Sequence, residues 1–210
     1  MEIMLSVNQL GLFLAATLML NVTPGPDMLY VLARSVAQGF GAGLVSVCGI
    51  AAGCCVHILA VAFGLAGLLK AAPGAYAVIK YAGAAYLIYL GLRVISNSAP
   101  LETGVPVKPE TLAAIFFQGL FTNVLNPKVA LFFLAFLPQF TDAVAGNLTQ
   151  QVLFLGVLFN LSGTAVNAAV AGVASYTGHR ARAYLKNSRS FSYLSGALFI
   201  VLGLRLAILT

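Results

Sequence analysis

Charge is what this 210-residue chain has least of. Asp, Glu, Lys and Arg make up 8% of it, 11 basic and 5 acidic residues, against roughly 25% in an ordinary soluble domain. Sixteen charges cannot coat a water-facing surface of that size, which excludes a soluble enzyme and a disordered chain. The net charge of +6 does not indicate nucleic acid, because the cations sit at the ends of apolar runs rather than on a basic face interleaved with aromatics. Tryptophan is absent and the three cysteines, Cys48, Cys54 and Cys55, fall in one apolar run, so no extracellular disulfide framework is offered. The N-terminus carries only Glu2 as an early charge and lacks the cationic start of a cleavable signal. No phosphate loop, Ser/His/Asp set or paired carboxylates are present. The chain is therefore expected to be a non-enzyme without a cofactor, driven by an ion gradient or by the gradient of its own solute.

Hydrophobic residues make up 60%, and they gather into runs of the length a bilayer demands, about 20 residues per helix. Six spans are expected. The first is Leu5 to Val22 with a continuation from Asp27 to Gln38, the second Leu44 to Leu69, and the third Tyr76 to Ile95. The fourth is Thr111 to Phe140, the fifth lies within Val152 to Tyr176, and the sixth is Phe191 to Leu209. The fold class is thus an all-α integral membrane protein, one transporter domain over 1–210 with a half at 1–95, a Pro-containing linker at 96–110 and a half at 111–210. Membrane barrels are disfavoured because apolar and polar residues do not alternate. Arg34, Arg93, Lys108, Arg180, Arg182, Lys186 and Arg189 lie near the connections after spans one, three and five, against Lys70, Lys80 and Arg205 on the other side. The positive-inside rule then puts both termini outside the cytoplasm.

Two spans are broken at corresponding places. Span one is interrupted at Thr23-Pro24-Gly25-Pro26-Asp27 and span four at Asn126-Pro127-Lys128. Three spans per half makes the second half enter from the opposite side, so the halves are expected to be inverted repeats. Proline-broken helices at matching positions of two such halves point to a secondary transporter's binding site.

Asp27 is the one acid inside an apolar region, and a carboxylate at membrane depth needs a partner, a water-filled cavity or a proton. One reading makes it a helix cap; the other has it bind a substrate ammonium or exchange that ammonium for a proton. The amides freed by Pro127, together with Lys128, are placed to meet a carboxylate, although Lys128 also has the length to snorkel to a headgroup. Asp27 and Lys128 together suit a zwitterion, or pair with each other when the site is empty. His57, alone in span two, is either a proton relay or a neutral imidazole bonded to a neighbouring helix. Lys80 reads as an interfacial anchor or a pathway residue. Asn160, Ser162, Thr164 and Asn167 form a polar stretch in span five that either lines a cavity or joins helices. The three cysteines and His57 raise a heavy-metal alternative, but no single helix face presents all four, and no metal ligand set is assigned.

The strings Thr23-Pro24-Gly25-Pro26-Asp27, Gly53 to Leu69 containing His57, Lys80 to Leu87, Asn123-Val124-Leu125-Asn126-Pro127-Lys128 and Leu137-Pro138-Gln139-Phe140 resemble the LysE/RhtB family of bacterial amino-acid exporters. The resemblance covers about residues 5 to 140 by motif and the remainder by span pattern. It implies efflux across the inner membrane by proton antiport in a six-helix protein, with homodimers among the expected partners besides amino acid, protons and lipid. Carried onto this chain, it marks Asp27 and the breaks at Thr23, Pro24, Gly25 and Pro26, then Asn126, Pro127 and Lys128. The absence of charge from span five favours a neutral substrate such as threonine, homoserine or leucine.

Overall fold

The computed structural model describes residues 7–71, 73–96, 108–141, 147–177 and 189–208. Every element is helical, and there is no strand among the described residues. Most of the 96–110 linker and the cationic segment from His179 to Asn187 and Ser188 lie outside them. The order is α1 (Val7–Val22), α2 (Pro26–Ala71), α3 (Pro73–Ser96), α4 (Leu112–Val124), α5 (Pro127–Leu131), α6 (Leu148–Thr177) and α7 (Arg189–Ile208). The described residues of the six apolar runs are thus helical apart from Thr111 and the break at 125–126. By length and apolarity, three helices suffice to cross a membrane and the bent pair α4–α5 makes a fourth, while Gln9–Val22 and Phe199–Ile208 are shorter.

α2 is two helices in one. Gly39 interrupts it with φ 83° and ψ −177°, a conformation costly for any residue with a Cβ. A first limb, 26–38, therefore precedes a second, 40–71. The interruption is where the expected spans one and two part, but the chain turns within a residue instead of through a loop.

α5 is short for a reason equally local. Pro138 has no N–H and its ring collides with the carbonyl four residues earlier. Ahead of it the helix loosens into a π turn over Phe132–Phe136, closed by Leu137 N–H to the Phe132 carbonyl, and then tightens to a 3₁₀ turn, Leu137–Phe140. This loosened segment is the middle of the core. Phe132 stacks on Phe159 of α6 with ring centroids 4.6 Å apart, and Phe13 of α1 meets Phe140 edge-on at 5.3 Å. Aromatic pairs in these geometries add about 0.5–1.5 kcal/mol beyond their buried area. They tie α1 and α6 to the segment that follows α5.

The remaining packing is set by glycine. α4 lies so close to α2 that a Cβ on Gly49 would fall on the Phe116 carbonyl, and one on Gly53 would sit 2.5 Å from the Leu120 carbonyl. This is the small-residue spacing that lets membrane helices approach backbone to backbone. α3 and α7 use Gly91, Gly196 and Gly203 in the same way, with a Cβ on Gly203 only 2.8 Å from the Ala84 carbonyl. A Gly49→Val variant is expected to force α2 and α4 apart at a cost of about 1–3 kcal/mol or more, read as a lower midpoint of thermal unfolding in detergent. An unchanged midpoint would show that the crossing tolerates a wider separation.

Candidate functional site

Pro24 determines what the end of α1 needs. In a continuous helix the residue at 24 would donate to the Leu20 carbonyl; proline cannot. Thr23 closes the helix by its own N–H and hydroxyl to the Met19 carbonyl, at 3.0 and 2.7 Å, and its carbonyl also points past the last turn. The Lys128 ammonium takes both orphans, donating from Nζ to Leu20 O at 3.1 Å and Thr23 O at 3.0 Å. A positive group at a helix C-terminus also opposes the dipole there. Gly25 makes the approach feasible, since a Cβ on it would stand 3.0 Å from Nζ. The two breaks, one in each half of the chain, therefore meet at a lysine.

Asp27 occupies the complementary end, in the first turn of α2, where Pro26 begins the helix and a carboxylate suits the dipole. Its Oδ2 accepts from Asn123 Nδ2 at 2.9 Å, and Asn126, Lys128 and His57 are the other polar groups within electrostatic range. Asp27 and Lys128 are each 9% exposed. They do not pair directly: the lysine is held by main-chain carbonyls and the carboxylate by an asparagine. Nor are the amides at the second break free. Asn126 N–H donates to Asn123 O at 2.9 Å, and the Asn126 side chain accepts from Lys128 N–H at 3.0 Å as the N-cap of α5. A carboxylate-binding role at this break thus falls to Lys128, which has three donors as an ammonium and two in use.

Beside the junction lies a cavity of about 30 Å³, room for one or two water molecules. Asp27, Asn123, Lys128 and, on α6, Asn160, Thr164 and Asn167 line it, with Met28, Ile50, Cys54, Val129 and Phe159 supplying apolar wall. Asn160 has both roles open to it from sequence: it faces the cavity and donates to Ala51 O at 3.2 Å, tying α6 to α2. His57 is outside the lining, with Nε2–H donating to the Asn123 carbonyl at 3.1 Å and its ring stacked on Phe133. Lys80 is also away from the cavity, over the ring of Tyr81 at 5.5 Å. Thr23, Pro24, Gly25, Pro26, Asn126 and Pro127 shape the junction without lining the cavity.

Two polar lining residues escape the sequence reading as site residues. Asn123 ends α4 and contacts both Asp27 and His57. Asn21, near the end of α1, donates to Ser162 Oγ at 2.9 Å. The signal for Asn123 is its spacing of three from Asn126, which puts both amides at one helix break.

From Asp27 a polar row runs along one face of the first limb, toward the start of α4. Tyr30 donates its hydroxyl to Ile115 O at 2.9 Å. Arg34 donates to Gln118 Oε1 at 2.6 Å, to Gln38 Oε1 at 3.0 Å and to Lys108 O at 3.0 Å, and Gln38 Nε2 reaches Glu110 O at 2.9 Å. Arg34, one of the seven cations in the orientation count, is therefore buried between helices rather than spread toward headgroups. Cys48, Cys54 and Cys55 are free thiols, and no group of three metal-ligating side chains occurs among the described residues.

Comparison with known proteins bears on what this junction serves. Residues 18–210 match the family described as LysE type translocator. An uncharacterized membrane protein of Pseudomonas aeruginosa is 31% identical over 215 residues, 98% of each chain. A leucine efflux protein of Salmonella typhimurium is 28% identical, over 94% of this chain and 93% of its own. A homoserine/homoserine lactone efflux protein of the same organism is 28% identical, over 93% of this chain and 94% of its own. No solved structure matches.

Proposed function

The chain belongs to the LysE type translocator family, and from that premise we propose that it exports a small neutral amino acid across a bacterial inner membrane in exchange for protons. The observation that carries the proposal is the meeting of the two helix breaks, with a buried carboxylate and a buried ammonium both lining one small cavity. Leucine and homoserine efflux among the relatives supports an α-amino acid as cargo. Asp27 is the one acid in the lining and α6 contributes only uncharged groups, which favours a substrate without a second positive charge.

In this mechanism Asp27 takes the substrate ammonium on one side of the membrane and a proton on the other, while the remaining N–H of Lys128 receives the carboxylate. A cavity that holds one or two waters cannot hold an amino acid. The carrier must therefore open, and Gly39 is placed to let the first limb swing from α4 as the access side alternates. The polar row ending at Lys108 and Glu110 would part in the state facing that end, which the positive-inside rule makes cytoplasmic.

The test is substrate-dependent proton movement in proteoliposomes containing a pH-sensitive dye. Leucine, homoserine and threonine are compared with lysine and arginine. Proton flux with one or more neutral amino acids and none with the dibasic ones is expected. Flux with lysine alone would overturn the neutral assignment, and amino-acid movement without proton flux would overturn the antiport.

A further inference from the structure

We propose that the substrate ammonium is held by two acceptors at once, Asp27 Oδ1 and Asn123 Oδ1, so that Asn123 is part of the binding site itself. This rests on the export reading above and adds to it a residue and a donor requirement.

Among the described residues four buried side-chain atoms lack a hydrogen-bond partner: Thr17 Oγ1, Asp27 Oδ1, Asn123 Oδ1 and Asn126 Nδ2. Buried polar atoms are almost always paired, so each exception asks for an explanation. Two of the four belong to residues lining the cavity, and both are acceptors. Asp27 is 9% exposed and Asn123 2%, so bulk water does not satisfy them. The orientation of Asn123 is fixed by chemistry. Its nitrogen faces the carboxylate at 2.9 Å, and reversing the amide would set two oxygens against each other. The amide oxygen is thereby denied Asp27 and left for another donor. That oxygen is enclosed and faces Gly53, where a Cβ would stand 3.3 Å from it.

Two unpaired acceptors on residues lining one cavity, with no free donor from either, describe a subsite for a group with at least two N–H bonds. A primary ammonium has three. A hydroxyl in the same position has one, and a dimethylated ammonium has one. The subsite thus selects amino acids over the corresponding 2-hydroxy acids and N,N-dimethylamino acids, independently of the side chain.

The experiment uses wild-type protein and Asn123→Leu in proteoliposomes, with leucine and homoserine as probes. Asn123→Leu keeps the branched shape and removes both the oxygen and the amide that donates to Asp27. It is expected to raise KM about ten- to a hundredfold, as for a lost hydrogen bond to a charged group, and the competition test in wild type separates the two losses. In wild type, a tenfold excess of the 2-hydroxy or N,N-dimethyl counterpart should leave exchange of the parent amino acid unchanged. A KM unchanged in Asn123→Leu with only turnover reduced would reduce Asn123 to a prop for Asp27. Competition by the hydroxy acid equal to that by the amino acid would overturn the two-acceptor subsite even if the variant did not fold. If wild type moves neither probe nor any other amino acid, the export reading itself falls and takes this assignment with it. Loss confined to the tests above leaves export standing.

Discussion

Asp27→Asn is expected to abolish exchange while leaving the protein folded and inserted. The substitution keeps the volume of the side chain and an oxygen to accept from Asn123 Nδ2, at 2.9 Å in the native protein. It removes the negative charge and the capacity to take up a proton. Truncating one partner of a buried, hydrogen-bonded charge pair costs about 2–5 kcal/mol, so binding of a substrate ammonium should weaken by roughly thirty- to several-thousandfold. Proton-coupled flux should vanish altogether, because no second carboxylate lines the cavity. The measurements are radiolabelled amino-acid exchange and dye-reported proton flux, with elution of the detergent-solubilised variant on a sizing column as the folding control. Exchange at the wild-type rate would remove Asp27 from the mechanism. Amino-acid movement that persists without protons would make it a coupling group alone.

Lys128→Met should act first on the fold. The replacement has nearly the same length and no donor, and it leaves the Leu20 and Thr23 carbonyls buried without the partners they have at 3.1 and 3.0 Å. At about 1–3 kcal/mol for each unsatisfied group, the loss is about 2–6 kcal/mol, a large fraction of a domain's stability. The expected result is a lower unfolding midpoint and a smaller yield of monodisperse protein, with no exchange from what remains. Lys128→Arg preserves the charge, but a planar guanidinium on a longer stem does not fit beside Gly25, where Nζ already stands 3.0 Å from the position of a Cβ. Its stability should fall between that of wild type and Lys128→Met. Wild-type stability in Lys128→Met would mean that water satisfies the two carbonyls.

The parts of this site that could be read from sequence are those that violate the rules of their surroundings. Proline and glycine stand out in an apolar run because they break the only backbone hydrogen bonds a membrane allows, and Asp27 and Lys128 stand out because charge is costly there. Asn123 and Asn21 do not. A neutral amide near the end of an apolar helix is ordinary by itself, and its importance comes from what lies opposite it in space. The partner of Lys128 was also illegible for a physical reason: it is a pair of main-chain carbonyls more than a hundred residues away, which leave no trace in residue identity. Arg34 shows the converse case. Its place at the end of an apolar run resembles an anchor, and only the facing Gln118 and the Lys108 carbonyl reveal that it is enclosed. Gly39 was visible as a glycine among others; that the helix is interrupted there within one residue depends on its φ of 83°.

The lysine bridge between the breaks has a consequence for how the protein is made. When α1 leaves the ribosome its last carbonyls have no donor, and the one they finally receive is encoded 108 and 105 residues later. Until α5 arrives, the first half sits in the bilayer with an open helix end that water, lipid headgroups or an insertion factor must cover. The halves are therefore expected to depend on each other for folding. Expressed from separate messages, the first half alone should be short-lived in the membrane, and co-expression of the second should rescue it, with the rescue lost when the second half carries Met at position 128.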